Sequence, residues 1–351
     1  MLTQRLRKLQ TISEPQRPYI TLNGKRVLDF SSNDYLGLSQ HPALIEATQK
    51  ATAQYGTGTG GSRLIGGTLD LHTQLEEKIA QFKGAEKALV FNSGYQANIG
   101  VLAGLIKKTD HIFADRLNHA SLVDGAILSR ATVHRYRHLD MDHLEALLQH
   151  TPRKKWIVTD TVFSMDGDLA PLRKLYELAD RYEAGLILDE AHATGVFPET
   201  AGEAIKIGTF SKALGSFGAY VAAREEIIQT LIQSSRSFIY STALPPAVIA
   251  ANLAALELIS KDNSAHQTLW QNIRHWGAHS PIIPIVVGED HAALTLSQNL
   301  FEVGFFVHAI RPPTVPEGTA RLRLSISACH SSQHLDDLQQ ILSSRSIISC
   351  V

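Results

Sequence analysis

A lysine among small residues, in the run GTFSKALG at 208–215, sits just past an apolar segment that reads as a strand. Upstream, LILDEAH at 186–192 reads as a second strand that ends in Asp189, with His192 three residues further on. Lys212 and Asp189 are close enough in the chain for two neighbouring strands to carry an amine and a carboxylate to one cleft. The surrounding sequence supplies such strands. Between residues 41 and 259, apolar strand candidates at 88–91, 111–115, 132–136, 156–160, 185–189, 204–208 and 218–222 alternate with helical patterns at 69–82, 95–106, 142–149 and 171–183. That alternation predicts an α/β fold around a mainly parallel central sheet.

Residues 41–259 are therefore expected to form a large domain, preceded by an N-terminal segment, 1–40. Pro245 and Pro246 open a long helix-like stretch, after which the pattern changes. Strands at 282–287 and 321–326, with helices near 292–303 and 333–343, predict a smaller α+β C-terminal domain over 260–351. The start, MLTQRLRKLQT, is basic and acid-poor but lacks a secretory apolar core, so it is read as an N-terminal helix of the mature protein.

An amine and a buried acid on adjacent strands suit a cofactor that forms a Schiff base and needs its pyridine nitrogen protonated. KALVFNSGYQANIGVLAGLI at 87–106 adds a third part. Ala88 to Phe91 reads as a strand, Asn92–Gly94 as a tight turn, and Tyr95 onward as a helix. Unpaired amides at such a helix start form an anion site, which places a phosphate at Gly94 and Tyr95. Together these features read as a pyridoxal 5'-phosphate (PLP) enzyme. YGTGTGGSRLIGG at 55–67 contains GxGxxG, but it follows a helical stretch rather than a strand, and no GK[ST] follows it. Its glycines are expected to let backbone approach a cofactor or a partner subunit. In HRYRHLDMDH at 134–143, Asp140 is expected to cap the following helix, so no metal site is assigned.

Among 351 residues, 33 Lys and Arg balance 34 Asp and Glu and lie scattered, which points to neither a nucleic-acid nor a membrane partner. No apolar stretch approaches the roughly 18 residues a membrane span needs. Cys329 and Cys350 cannot make a disulfide scaffold, and a reducing, cytoplasmic location is expected.

With these parts placed, the chain resembles the α-oxoamine synthases, PLP-dependent transferases of fold type I that join an amino acid to an acyl thioester with decarboxylation. The resemblance runs from FSSNDYLGLSQHP (30–42) to RLRLSISACH (321–330). It is strongest in HASLVDG (119–125), VFSMDGDLAPL (162–172) and AIRPPTVPEGTARLRLS (309–325). The RPPTVP segment favours the biotin-pathway member, which uses L-alanine and a pimeloyl thioester of coenzyme A or acyl carrier protein. The resemblance implies that Lys212 is the Schiff-base lysine, that Asp189 partners the pyridine nitrogen, and that His192 bonds the ring's phenolic oxygen. It also implies that His119 stacks on the ring, that Thr209, Gly94 and Tyr95 hold the phosphate, and that Ser164 touches the cofactor. Arg323 and Asn33 resemble groups that hold the amino-acid carboxylate, while Thr314 and Arg7 match substrate contacts. Thr242 resembles a phosphate contact lent by the other subunit, which implies a homodimer.

Two departures stand out. Asp160 occupies a position where the family usually has Glu, and the segments 196–208 and 276–288 are shorter than usual. Rival readings are a sister synthase using glycine or serine with another acyl group, an aminotransferase, and a PLP-binding protein without turnover.

Overall fold

The computed structural model describes residues 6–199 and 202–344. The chain begins with an antiparallel meander, β1 (Ile12–Glu14), β2 (Tyr19–Leu22) and β3 (Lys25–Asp29). Asn23 and Gly24, at φ 50 and 82, make the two-residue turn between β2 and β3, a conformation this dipeptide adopts at little cost. The helix expected at the N-terminus is corrected over the described part. Residues 6–11 carry no regular structure, and Leu6 and Leu9 are 68% and 103% exposed. A segment so short is marginal as an isolated helix, and here no neighbour covers its apolar residues. Residues 1–5 lie outside the described residues, as does Cys350; Cys329 is a free thiol.

Helices α1 (Pro42–Tyr55) and α2 (Asp70–Lys83) lead into the central layer. Its strands are β4 (Lys87–Phe91), β5 (His111–Asp115), β6 (Thr132–Tyr136), β7 (Lys155–Asp160), β8 (Ala184–Asp189), β9 (Ile205–Thr209) and β10 (Ala219–Ala223). They lie in the order β4-β10-β9-β8-β7-β5-β6, and β10 alone runs antiparallel to its neighbours. The α/β reading with a mainly parallel sheet is borne out. The crossovers are α3 (Gly94–Leu105), α4 (Ala120–Ser129), α5 (Met141–Gln149) and α6 (Leu172–Arg181). Of these, α4 was not foreseen, because the HASLVDG stretch was read only for its chemistry. Asp140 does cap α5, accepting the His143 N–H at 2.8 Å.

The central strands are buried on both faces, which is why they read as nearly continuous apolar runs, whereas the edge strand β6 is largely exposed. Ile187 packs with Val101, Ile112 and Ile207 on one side; its neighbours Leu186 and Leu188 pack with Phe113, Ile157 and Leu175 on the other. Helices α7 (Glu225–Ser234), α8 (Arg236–Ile239), α9 (Pro246–Lys261) and α10 (Ser264–Trp276) follow. The last part holds β11 (Ile282–Gly288), α11 (Asp290–Glu302), β12 (Phe305–Phe306), β13 (His308–Ile310), β14 (Ala320–Ser325) and α12 (Ser332–Ser344), with an antiparallel sheet ordered β11-β14-β13.

The two chain ends are clasped together. β12 pairs in parallel with β3, Ser325 donates its N–H to Phe30 O at 2.7 Å, and the His330 ring stacks on Phe30 at 4.0 Å. The parallel central strands end on one edge, where Asp160 lies beside Asp189 and Asp189 beside Ile207. In an open α/β sheet that carboxyl edge is where ligands bind.

Candidate active site

A cavity of about 680 Å³ opens at this edge, with the clasped chain ends as its other wall. Lys212, His192, His119 and Ser164 line it from the side of the central sheet. Arg7, Asn33, Thr314 and Arg323 line it from the clasp. No carboxylate is among the lining residues, whereas Arg7, Lys212 and Arg323 are, so the cavity is cationic.

Lys212 stands in the turn between β9 and β10. Gly215, at φ 64, allows this turn to press against the loop carrying Asn33 and Tyr35: a Cβ at position 215 would lie 2.3 Å from Ser39 N. Burial brings the Lys212 amine down to about 8, with Asp189 and Asp160 opposing that shift and Arg323 adding to it. About a tenth of it is therefore neutral at pH 7, far more than for an ordinary lysine.

Asp189 is buried just behind the cavity. One carboxylate oxygen accepts the Ala191 N–H at 2.9 Å and the other accepts Asn98 Nδ2 at 2.6 Å. Asp160, the family departure, accepts the His119 backbone N–H at 2.8 Å, so the shorter acid still anchors the residue that lines the cavity. Burial and the neighbouring Asp189 charge push the Asp160 carboxyl well up. Burial, together with the Lys212 charge, holds His192 well below its ordinary value, leaving a neutral imidazole.

Tyr35 is the residue the sequence reading missed. Its buried hydroxyl lies 2.7 Å from His192 Nδ1 and 3.2 Å from Asn33 Oδ1, and it accepts from Arg323 Nη2 at 3.4 Å. Its signal was the SSNDYLG run itself, two positions from Asn33. Arg323 also donates Nε to Ser164 O at 2.5 Å and Nη1 to Ser325 Oγ at 2.8 Å. Three of its five donors are thereby engaged among the described residues, and the rest are available to a ligand. Arg7 Nη2 donates to Thr314 Oγ1 at 2.9 Å across the mouth.

Other expected contacts lie outside this lining. Ser93 caps α3 by accepting the Gln96 N–H, and Gly94 and Tyr95 begin the helix after β4, with the Tyr95 hydroxyl on Asp124. Thr209 ends β9 with its hydroxyl on Gly218 O at 2.8 Å and beside Ser211 Oγ at 2.7 Å. Thr242 is exposed, bridges Ser62, and accepts Asn92 Nδ2 on its carbonyl at 2.8 Å. In the GxGxxG stretch, Gly61 O accepts the Ala243 N–H at 3.0 Å, which ties this stretch to the segment carrying Thr242.

A family model described as aminotransferase class I and II matches residues 25–342. An 8-amino-7-oxononanoate synthase of Citrifermentans bemidjiense is 47% identical over 363 residues, covering 96% of this chain and 93% of its own. A structure of SPT with PLP superposes with a TM-score of 0.92 at 28% identity, covering 97% of this chain and 93% of its own. The 8-amino-7-oxononanoate synthase of Francisella tularensis superposes with a TM-score of 0.78 at 31% identity, covering 91% and 98%.

Proposed function

The chain belongs to the class I and II aminotransferase family and, within it, to the 8-amino-7-oxononanoate synthases, and on that premise we propose that it condenses L-alanine with a pimeloyl thioester. The products are 8-amino-7-oxononanoate, carbon dioxide and the freed coenzyme A or acyl carrier protein, in biotin synthesis. PLP is the cofactor, and the donor set fits it: an amine brought to about 8, a buried carboxylate held by two N–H donors, and a helix start after β4. Lys212 would hold its aldehyde carbon, Asp189 its ring nitrogen, His192 its phenolic oxygen, and Ser164 would make a further contact. Gly94, Tyr95 and Thr209 would hold its phosphate, with Thr242 lent from a second copy in a homodimer. When bound, PLP supplies an electron sink that stabilises negative charge on the substrate Cα.

The protein's own groups do the rest. The free guanidinium donors of Arg323, with Asn33, hold the alanine carboxylate and orient the Cα–H bond. Lys212, released as a neutral amine, takes the Cα proton, and its lowered pKa suits it to that work near neutral pH. His119 lines the cavity on the same side as Lys212, and the walls limit the water around the Cα while the new carbon–carbon bond forms. Thr314 and Arg7 guide the thioester at the mouth. Loss of carbon dioxide from the carboxylate held by Arg323 follows, and a proton returned by Lys212 completes the product. A cytoplasmic location fits this chemistry; among the described residues no helix is long and apolar enough to cross a membrane.

The observation that carries this reading is that Lys212 and Arg323, over a hundred residues apart in the chain, line one cavity together with His119. The experiment is purified protein supplied with PLP, L-alanine and pimeloyl thioesters of coenzyme A and of carrier protein, followed by mass spectrometry. The expected product is 8-amino-7-oxononanoate. Higher catalytic efficiency with glycine and an acetyl or succinyl thioester makes the protein a sister synthase instead.

A further inference from the structure

Behind the cavity wall runs a line of hydrogen bonds that joins Asp189 to His119. It starts at Asn98, one turn into α3, whose side chain is buried. Its amide nitrogen lies 2.6 Å from Asp189 Oδ2 and 2.8 Å from Ser121 Oγ. Ser121, also fully buried, places that hydroxyl 2.7 Å from His119 Nδ1.

Donor and acceptor counting gives this line a direction. An ionised carboxylate only accepts, so the Asn98 NH2 group faces Asp189, and its second hydrogen goes to Ser121. Ser121 Oγ then accepts from Asn98, and its single hydrogen is left for His119 Nδ1. That ring nitrogen is the one acceptor found for this hydrogen among the described residues, and the Ser121 N–H points at it too, which places the imidazole proton on Nε2. The Ser121 backbone N–H approaches the same nitrogen at 3.3 Å, longer than a good bond of this type. With Nδ1 taken, the edge of His119 left for the cavity it lines is an N–H donor.

We propose that Asn98 is a positioning residue that fixes the Asp189 carboxylate and, through Ser121, keeps His119 as its Nε2–H tautomer. The two groups are then set together: the acid behind the cavity and the donor on its wall share one amide. Without Asn98 the Ser121 hydroxyl loses the donor that orients it and can turn to accept from Nδ1–H, so both imidazole tautomers become available. The proposal rests on the reading of Asp189 and His119 as site residues.

The test is nitrogen NMR on holoenzyme labelled at histidine, with the His119 signals assigned by their loss in His119→Gln. The wild-type protein should show one His119 tautomer, protonated at Nε2. Asn98→Leu, of similar volume but without donors, should show a mixture, with kcat reduced about tenfold and both KM values changed much less, as loss of one network bond implies. Should Asn98→Leu not fold, Ser121→Ala cuts only the His119 arm and should give the same tautomer mixture. A single Nε2–H tautomer in either folded variant overturns the proposal, whatever its activity. Near-normal turnover of Asp189→Asn would instead sink the site assignment itself and leave the tautomer result standing, so the two failures are distinguishable.

Discussion

The two walls of the cavity are built in opposite ways. The sheet wall takes Lys212 from the turn after one strand, with Asp160 and Asp189 behind it at the ends of the next two strands, held by a ladder of buried strands. The clasp wall takes Arg7, Asn33, Thr314 and Arg323 from the two ends of the chain, joined by a two-residue parallel pairing and a few long-range hydrogen bonds. A rigid sheet suits groups that handle protons and electrons, because their reach must be accurate to a fraction of an ångström. A clasp suits groups that admit and hold substrates. The difference predicts that damage to the sheet wall removes turnover, whereas damage to the clasp weakens binding.

The strongest break in that comparison is Lys212→Ala, which should lower turnover by at least about 10³-fold, since it removes both the attachment point and the base. Borohydride reduction of the wild-type holoenzyme and peptide mapping should find the pyridoxyl group on Lys212; labelling at Lys206 would contradict the assignment. Next, Asp189→Asn should lower kcat by about 10²-fold or more while PLP remains bound, because a buried ionised partner is replaced by a neutral one. Spectroscopic titration of PLP and steady-state rates measure the two separately.

On the clasp wall, Arg323→Lys should raise the KM for alanine by about 10- to 100-fold, the worth of a charged hydrogen bond, with the thioester KM little changed. Equal effects on both substrates would mean that Arg323 acts as a structural brace. The smallest effect concerns the clasp's own stability. His330 is buried against Phe30, with Nε2 donating to Asp29 O at 3.0 Å, and burial brings it down to about 3. The unfolded chain takes up a proton below about 6.5, where the folded one does not, so this contribution is full above that pH and is lost as pH falls. At pH 5 the loss is about 2 kcal/mol. Thermal melts of the wild type and His330→Gln between pH 7 and 5 should show a shallower pH slope in the variant; parallel slopes would place the acid sensitivity elsewhere.

The same contrast governs what could be read in advance. The central strands, and their crossovers apart from α4, were legible because strands buried on both faces write themselves as apolar runs. Asp189 and Lys212 were legible because they close two such runs. The N-terminal meander is marked locally only by Asn23–Gly24 between the alternating residues of its hairpin. Tyr35 was legible only as a neighbour of Asn33, since its partners His192 and Arg323 lie 157 and 288 residues away. Asn98 is not singled out by the sequence, for nothing local distinguishes an amide that reaches Asp189 from one that faces solvent.

By itself, then, the sequence determined the α/β layer, the order of its elements, and the residue types that reach the carboxyl edge, because periodicity and strand ends are local properties. Family resemblance named Arg323, Thr314 and Arg7. Only the tertiary structure decided that these stand across one cavity from Lys212, that burial brings its amine to about 8, and that Asp160 anchors His119. Those outcomes depend on desolvation and on distances between segments remote in the chain, which no local pattern of residues carries.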